Sequence, residues 1–597
     1  MNRIMQRNAT FRRVEVPGSR NFTTRQLLNS KIYELYRLQL KKNFGSSQPN
    51  WMDKTTFSAV GPIVDGHNVF KSPFDDVKIP AGCVHQIVWK DVDKWWNKTA
   101  LVCAASGRSY SYGMLKKLCG RFATSLRRNN LRAGDTLAVV LPNIPEYGLV
   151  ALGASEAGVK MTLLNPAFTT HEMGVQIVNS EAAGVITTQE MYPVIEESIK
   201  GKNSIRLPTI VVPTEGESIP AGAINFRDLI ADGIEELEKT GTDSKNDTFI
   251  LPYSSGTTGL PKGVKLTHRN IVANLTQGEH HAYHFDEPAV GEHQEIVPGF
   301  LPFYHIYGFV VCLLNYLKIG GKIICMPQFS SNNLLDVLKR NKTTALYVVP
   351  PVVQLMANDD RFNKKHVENV KNVLCGAAPL GNELISKFQS KMGINFNQGY
   401  GLTETSPTVS RSKYSACDSV GLIIVNTQIR IISRDNDKFG NNLGANELGE
   451  ILVKGPQVMA GYYKNVKATE DCMDGEWFKT GDLGYVDDKG QLFVTGRTKE
   501  LIKIKGFQVA PAELEDVIFG HEKVADVAVI GIPHEKLGEV PKAFIVPQPN
   551  IKITEEEVKN YVAERLSKHK HIAQVEFIDK IPKSAAGKIL RRELQKL

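Results

Sequence analysis

The chain has 597 residues, a formal net charge of +9, 42% hydrophobic and 23% charged residues. That length exceeds what one hydrophobic core supports and predicts two or more domains, and the composition excludes wholesale disorder. Ten basic residues fall within 1–43 against only Glu15 and Glu34, whereas the remainder holds 62 basic and 61 acidic residues. The body is therefore near neutral, which argues against a nucleic-acid-binding surface.

Residues 1–45 form an Arg-rich, acid-poor leader dotted with Ser and Thr. It lacks the continuous apolar core of a secretory signal and has the composition of a mitochondrial transit peptide, so a mitochondrial address is the expectation. The ending Gln595-Lys596-Leu597 departs from a peroxisomal Ser-Lys-Leu at its first residue; peroxisomal and cytosolic locations stand as alternatives. The longest apolar run, 309–314, is far short of the roughly 20 residues that span a bilayer. No transmembrane segment is expected, and only weak membrane association is left open. The eight cysteines are scattered without a CxxC pair, against a zinc ribbon or disulfide framework. Nothing in the sequence speaks to oligomeric state.

Along the chain, 48–88 is rich in turn signals. From about residue 100, strand and helix patterns alternate. A strand is predicted at 101–104, then a helix opening at Ser111 with Leu115, Leu118, Phe122 and Leu126 on one face. A buried strand at 136–141, a helix at 146–157 and a strand at 161–164 follow, with further strands at 183–187, 210–212, 249–251, 345–349 and 372–374. This alternation predicts α/β layers on largely parallel sheets. Past Tyr400, short strands at 423–425, 428–432, 450–453 and 492–494, with Gly- and Asn-rich turns, predict a small β subdomain. A compact α+β unit of about a hundred residues is expected from Leu501.

The most informative stretch is Tyr253-Ser254-Ser255-Gly256-Thr257-Thr258-Gly259-Leu260-Pro261-Lys262-Gly263-Val264, directly after an apolar strand. Small residues let backbone approach a polyphosphate, and hydroxyls, N–H groups and Lys262 supply donors and charge. A Walker A loop ends in Gly-Lys-Ser/Thr; here Lys262 is followed by Gly263 and Val264, so that reading fails. On composition alone, a plain Ser/Gly-rich connector would fit equally well.

Further segments recur in a fixed order. They are 301–308 (Leu-Pro-Phe-Tyr-His-Ile-Tyr-Gly), 376–380 (Gly-Ala-Ala-Pro-Leu), 398–404 (Gln-Gly-Tyr-Gly-Leu-Thr-Glu), Thr480-Gly481-Asp482, Gly496-Arg497, 503–509 with Glu513, and 582–588 (Pro-Lys-Ser-Ala-Ala-Gly-Lys). Together with the 253–264 loop they resemble the adenylate-forming superfamily of acyl-CoA synthetases, 4-coumarate–CoA ligases and firefly luciferase, over about residues 93–597. The resemblance implies an α/β fold: a large N-terminal domain, 46–496, of two layered α/β subdomains plus a small β subdomain; a hinge at 497–499; and a small, mobile α+β C-terminal domain, 500–597.

It also implies roles. Ser254, Ser255, Gly256, Thr257, Thr258, Gly259 and Lys262 cradle the ATP phosphates. Gly376, Ala377, Ala378 and Pro379 form the adenine segment. In Gln398-Gly399-Tyr400-Gly401, the tyrosine stacks on adenine. Thr403 contacts phosphate, and Glu404 helps bind Mg²⁺, which takes oxygen ligands. Asp482 accepts from the ribose hydroxyls, reinforced by Arg497. His305 lies at the acyl carboxylate, and Lys588 bridges that carboxylate and the α-phosphate, stabilising developing charge. Lys499 absorbs the hinge rotation. Strand alternation sets Ile502 and Ile504 on one face and Lys503 and Lys505 on the other. Lys503 is the first candidate for the thioester step, with Lys505 as the alternative, and Lys499, Lys505 and Gln508 are grouped with the cofactor-facing residues. A basic helix is expected at 589–597.

The implied activity is ATP-dependent ligation of a small carboxylic acid to coenzyme A through an acyl-adenylate, with ATP, Mg²⁺ and CoA as the small-molecule partners. A medium- or long-chain fatty acid is the first expectation for the acid, with an aryl-propenoic acid as the alternative. A luciferase-like monooxygenase is disfavoured by Leu374, Asn274 and Pro407, which stand where luciferase places small or polar luciferin-contacting residues. An inactive nucleotide-binding scaffold is disfavoured by the intact set Lys262, Glu404, Asp482, Arg497 and Lys588.

Overall fold

The protein is described by a computed structural model over residues 63–64 and 67–597, apart from 214–217, 233–240, 255–260, 284–285, 379, 412–418, 436–437, 505–506 and 585–586. The leader 1–45 lies outside the described residues. Strands buried on both faces read as unbroken apolar runs, and Thr136–Val140 is buried at every position. It sits inside a sheet ordered Lys262–Gly263, Thr248–Ser254, Lys160–Leu163, Thr136–Val140, Ala182–Thr188, Ile210–Val212, Ile224–Asn225. From Thr248–Ser254 onward the pairing is parallel. The helix Tyr112–Arg128 starts where Ser111 Oγ accepts the Met114 N–H at 3.2 Å.

A second layer pairs Ile296–Gly299, Lys322–Cys325 and Thr99–Cys103 in parallel, with Ser109–Ser111 antiparallel at the edge. It continues through Thr344, whose N–H donates to Ile296 O at 2.9 Å, toward the parallel strands Ala345–Val348, Asn372–Cys375 and Phe396–Gln398. The β subdomain is an antiparallel sheet carrying Gln428–Asp435, Gly449–Lys454, Trp477–Val486 and Leu492–Arg497 around Phe70, Ile429, Ile431, Ile451 and Val453. Past it, a separate core of Ile502, Val509, Leu514, Val529, Ala543 and Ile545 holds a five-stranded sheet and the helices Pro511–Phe519 and Glu555–Ala563.

The last unit docks on the first through close backbone approaches. Gln354 Nε2 donates to Ala525 O. Gly587 has φ +80, and a Cβ there would meet Pro351 Cδ at 2.7 Å, so glycine is needed both for the left-handed backbone and for the contact.

The apolar run 309–314 is a π-helical segment, Tyr307–Leu314, passing into the α-helix Asn315–Lys318. Two local expectations change. The strand expected at 423–425 is only Leu422–Ile423, because Ile424 and Val425 turn into a separate cluster with Tyr283. The C-terminal helix is Arg591–Leu594, not 589–597, because Ile589 pairs with Lys583 and the Leu590 N–H reaches Pro582 O at 2.9 Å.

Gly308 lies within the π-helical turn, where a Cβ would stand 2.3 Å from Pro302 O and 2.7 Å from Leu301 O. Both are backbone atoms that cannot swing aside. Gly308→Ala should therefore lower stability by about 2 kcal/mol or more, read as a shifted denaturant midpoint at unchanged slope. An unshifted midpoint would contradict the packing described.

Candidate active site

The strands Trp477–Val486 and Leu492–Arg497 pair in a register that sets Asp482 opposite Arg497. Asp482 is 3% exposed. Its Oδ1 lies 2.9 Å from Arg497 Nε, and its Oδ2 accepts the Tyr400 hydroxyl at 2.7 Å. Burial pushes the carboxyl pKa up, against the opposing pull of Arg497, the Tyr400 phenol and Lys588. Each oxygen keeps one free lone pair, enough to accept two vicinal hydroxyls. The Tyr400 hydroxyl is thus tethered to the carboxylate assigned to ribose, which fixes its ring beside that position.

The two arms of the Ser/Gly/Thr-rich loop form an antiparallel pair with Ser254 opposite Lys262. Ser255, Gly256, Thr257, Thr258, Gly259 and Leu260 between them lie outside the described residues. Ser254 Oγ donates to Glu404 Oε1 at 2.9 Å, and Tyr462 donates to the same oxygen at 3.0 Å. Lys262 Nζ lies 5.0 Å from the Tyr462 ring centroid. Burial and then Glu404 push the Tyr462 phenol well up, keeping it a donor. Glu404 is 8% exposed on the turn Thr403–Thr405. A buried carboxylate flanked by hydroxyls is a hard-oxygen set that fits Mg²⁺ shared with phosphate.

His305 heads the π-helical segment. Its Nδ1 accepts the Tyr307 N–H at 3.3 Å, which assigns the ring proton to Nε2. Desolvation lowers its pKa to about 4, so the ring is neutral near pH 7. The Tyr307 hydroxyl donates to Leu374 O at 3.0 Å, and the ring lies 3.4 Å from where a Cβ on Gly376 would be. A Cβ on Gly399 would meet Ser410 O at 3.4 Å and Leu374 Cδ1 at 3.5 Å. Beside Gly376, the exposed Ala377 holds φ +74, a strained conformation for alanine, and Ala378 is half-buried. Pro379 lies outside the described residues; Gln398 is buried and Gly401 exposed. Asn274 has both polar ends on the Thr408 backbone, at 3.0 and 3.1 Å, and is structural.

Lys588 is half-buried on a closed turn. The Ser584 N–H donates to Lys588 O at 2.8 Å, and the Lys588 N–H to Ser584 Oγ at 3.2 Å. Burial and then Arg497 lower its pKa, while Glu500 and Asp482 counteract them. Lys588 therefore belongs to the electrostatic environment of the Asp482–Arg497 pair. Lys503 is exposed on Ile502–Ile504, whose isoleucines are buried, as the alternation predicts. Lys499 is exposed in the turn Thr498–Glu500. Lys505 and the Gln508 side chain lie outside the described residues.

The structure thus brings Ser254, Lys262 and Glu404 together, and separately joins Tyr400, Asp482, Arg497 and Lys588. Sequence reading missed Tyr462, Glu500 and Pro351. Tyr462 reaches Glu404 only through tertiary folding, whereas Glu500, adjoining the hinge motif, could have been weighed. Among the described residues one further group, Glu287, His293 and Glu295, has metal-capable side chains close together. Lys371 Nζ already lies 2.7 Å from Glu295 Oε1 and makes it an ion-pair network.

Residues 88–463 match the AMP-binding enzyme family, and 513–588 match the AMP-binding enzyme C-terminal domain. Among curated relatives, 4-coumarate–CoA ligase 2 of Oryza sativa subsp. japonica is 36% identical over 549 residues, 88% of this chain and 94% of that protein. 4-coumarate–CoA ligase-like 1 of Arabidopsis thaliana is 37% identical over 550 residues, covering 89% and 97%. Among solved structures, ATP-bound MatB from Rhodopseudomonas palustris superposes with a TM-score of 0.77 at 28% identity, covering 86% of this chain and 98% of that one. The chain belongs to the AMP-binding enzyme family of the adenylate-forming superfamily, and within it to the 4-coumarate–CoA ligase-like group of ATP-dependent acid–CoA ligases.

His305 makes a testable contribution to pH dependence. Its folded pKa, about 4, lies below the usual histidine value of 6.5. The unfolded chain therefore binds more protons in that window, and stability falls as pH drops from about 6.5 toward 4. His305→Gln should make that decline shallower in denaturant titrations across the window. An unchanged slope would show that the imidazole is not desolvated.

Proposed function

We propose that the protein joins an apolar-tailed carboxylic acid to CoA in two half-reactions, with an aryl-propenoic acid as first substrate class and medium- or long-chain fatty acids as second. The observation that carries the two-step reading is the docking of the Lys588 turn. Gly587 packs on Pro351, and Lys588 shares the field of Asp482 and Arg497, while Lys503 is exposed on its strand.

In the first half-reaction the acid carboxylate attacks the ATP α-phosphorus and pyrophosphate leaves. Asp482 and Tyr400 hold the nucleoside, and Ser254 and Lys262 flank the phosphates. Glu404 with Ser254 would hold Mg²⁺, which neutralises phosphate charge when bound. The neutral His305 offers Nε2–H to a carboxylate oxygen, orienting it without adding charge. The Lys588 ammonium stabilises the charge that grows between carboxylate and phosphate. In the second half-reaction the CoA thiolate attacks the acyl carbon and AMP leaves. Rotation at 497–499 withdraws Lys588 and presents the Lys503 face.

The relatives' names favour the aryl-propenoic class. The fatty-acid reading rests on the Tyr307–Leu374 contact, beside which Gly376 and Gly399 contribute no side chain. Scoring cinnamic, 4-coumaric, octanoic and palmitic acids for CoA-dependent AMP release decides between them. Lys588→Ala should reduce acid-dependent ATP–pyrophosphate exchange by about a hundredfold or more while leaving thioester formation from supplied acyl-AMP within a few-fold. Equal loss of both would refute the assignment.

A further inference from the structure

Arg591 stands three residues beyond Lys588 and opens the short helix Arg591–Leu594. Its side chain is only 15% exposed. All three guanidinium nitrogens are engaged: Nε donates to Glu500 Oε2 at 2.9 Å, Nη1 to Glu515 Oε1 at 2.6 Å and Val529 O at 3.2 Å, and Nη2 to Glu515 Oε2 at 3.1 Å. These acceptors come from three separate elements: the hinge turn Thr498–Glu500, the helix Pro511–Phe519 and the strand Val524–His534. Glu515 Oε1 also accepts the Val529 N–H at 2.8 Å, so helix and strand are locked together at the same point. A planar, bidentate guanidinium makes such a junction directional as well as strong.

The neighbouring loop is held to its domain at its flanks, where Ile581, Ile589 and Leu594 pack with Ala528, Ile530 and Phe544. It closes on itself through the Lys583–Ile589 bridge and the Ser584–Lys588 hydrogen bonds, and Lys583 pairs with Asp526 at 2.7 Å. On the exit side of this loop the Arg591 side chain reaches the hinge turn.

We propose that Arg591 is a positioning residue for adenylation, tying the turn that carries Lys588 to the hinge and to the C-terminal sheet so that the lysine meets the nucleotide site at a fixed place. This rests on the reading of Lys588 as the adenylation lysine. A long cation on a small-residue turn has many orientations, and a displacement of about 1 Å at a reacting centre costs on the order of a hundredfold in rate. The thioester step does not draw on this tie. Lys503 sits on a strand fixed by the buried Ile502 and Ile504, with its N–H on Glu539 Oε2 at 2.7 Å.

The test uses the full chain. Acid-dependent ATP–pyrophosphate exchange reads adenylation, and CoA consumption with supplied 4-coumaroyl-AMP or octanoyl-AMP reads thioester formation. The main variant is Arg591→Lys. It keeps the charge that compensates Glu500 and Glu515, so the fold is retained, but one ammonium cannot reproduce the planar set of contacts. Glu500→Gln is the second variant; it loosens only the hinge end and leaves the Glu515 pair intact. Arg591→Lys should lower kcat for adenylation by about 10- to 100-fold, with KM for ATP and the thioester rate within about 3-fold. Glu500→Gln should show a smaller split of the same sign. An equal fall of both half-reactions, a rise in KM alone, or no change would overturn the proposal. Lys588→Ala, run alongside, separates the two readings. If it shows the split and Arg591→Lys does not, the positioning role fails alone. If Lys588→Ala shows none, the Lys588 assignment fails and the positioning role falls with it.

Discussion

A carboxylate sealed from water stays charged only if the groups around it supply what solvent no longer does. Asp482, at 3% exposure, receives this from the Arg497 guanidinium on one oxygen and the Tyr400 phenol on the other. Each partner has a second consequence. Tyr400 begins the segment that leads to Glu404, so anchoring its hydroxyl helps locate the turn assigned to the metal. Arg497 is the last residue of its strand and the first of the proposed hinge, so the chain passes toward the C-terminal unit at the point where that charge is held. Lys588 enters the same field from the other domain. The residues assigned to the nucleoside, to the hinge and to adenylation are therefore one electrostatic unit.

The remaining polar groups are arranged to add charge where chemistry needs it and to withhold it elsewhere. In the proposed mechanism His305, neutral near pH 7, orients the acid without competing with Lys588 for the developing anion. The Tyr462 phenol is held protonated beside Glu404 and serves as a donor to that carboxylate. Where the C-terminal unit meets the large domain, the Gly587 backbone lies over Pro351. A contact of that kind can be made and broken without stranding a buried ion, which fits the rotation proposed between half-reactions.

Much of this was legible before any coordinates. The buried strands at 136–141 and 183–187 announced a parallel sheet because both faces are covered, and Ile502 and Ile504 announced their strand by alternation. The motif residues Asp482 and Arg497 were readable as a pair, and the register shows why: they face one another across two adjacent strands. What sequence could not supply was closure in three dimensions. Tyr462 lies 58 residues from the carboxylate it serves. The helix expected at 589–597 failed because residues just after Lys588 return to pair with Lys583, a tertiary demand that outweighs helical propensity. The π-helical widening after His305 has no periodic signature in an all-apolar run. Local pattern carried the layers and the motif positions, and long-range packing decided how the motifs meet.

The central claim is that the charge of Asp482 organises the nucleotide site. The direct measurement is the ATP dissociation constant of Asp482→Asn beside wild type, by titration calorimetry on the full chain with Mg²⁺ present. Asparagine keeps the shape but loses the charge that Arg497 faces and an acceptor for hydroxyls. Hydrogen bonds to a charged group contribute about 1.5–3 kcal/mol, so the account predicts ATP binding weakened by about 10- to 100-fold in a variant that unfolds cooperatively like wild type. Unchanged affinity in a folded Asp482→Asn protein would contradict it.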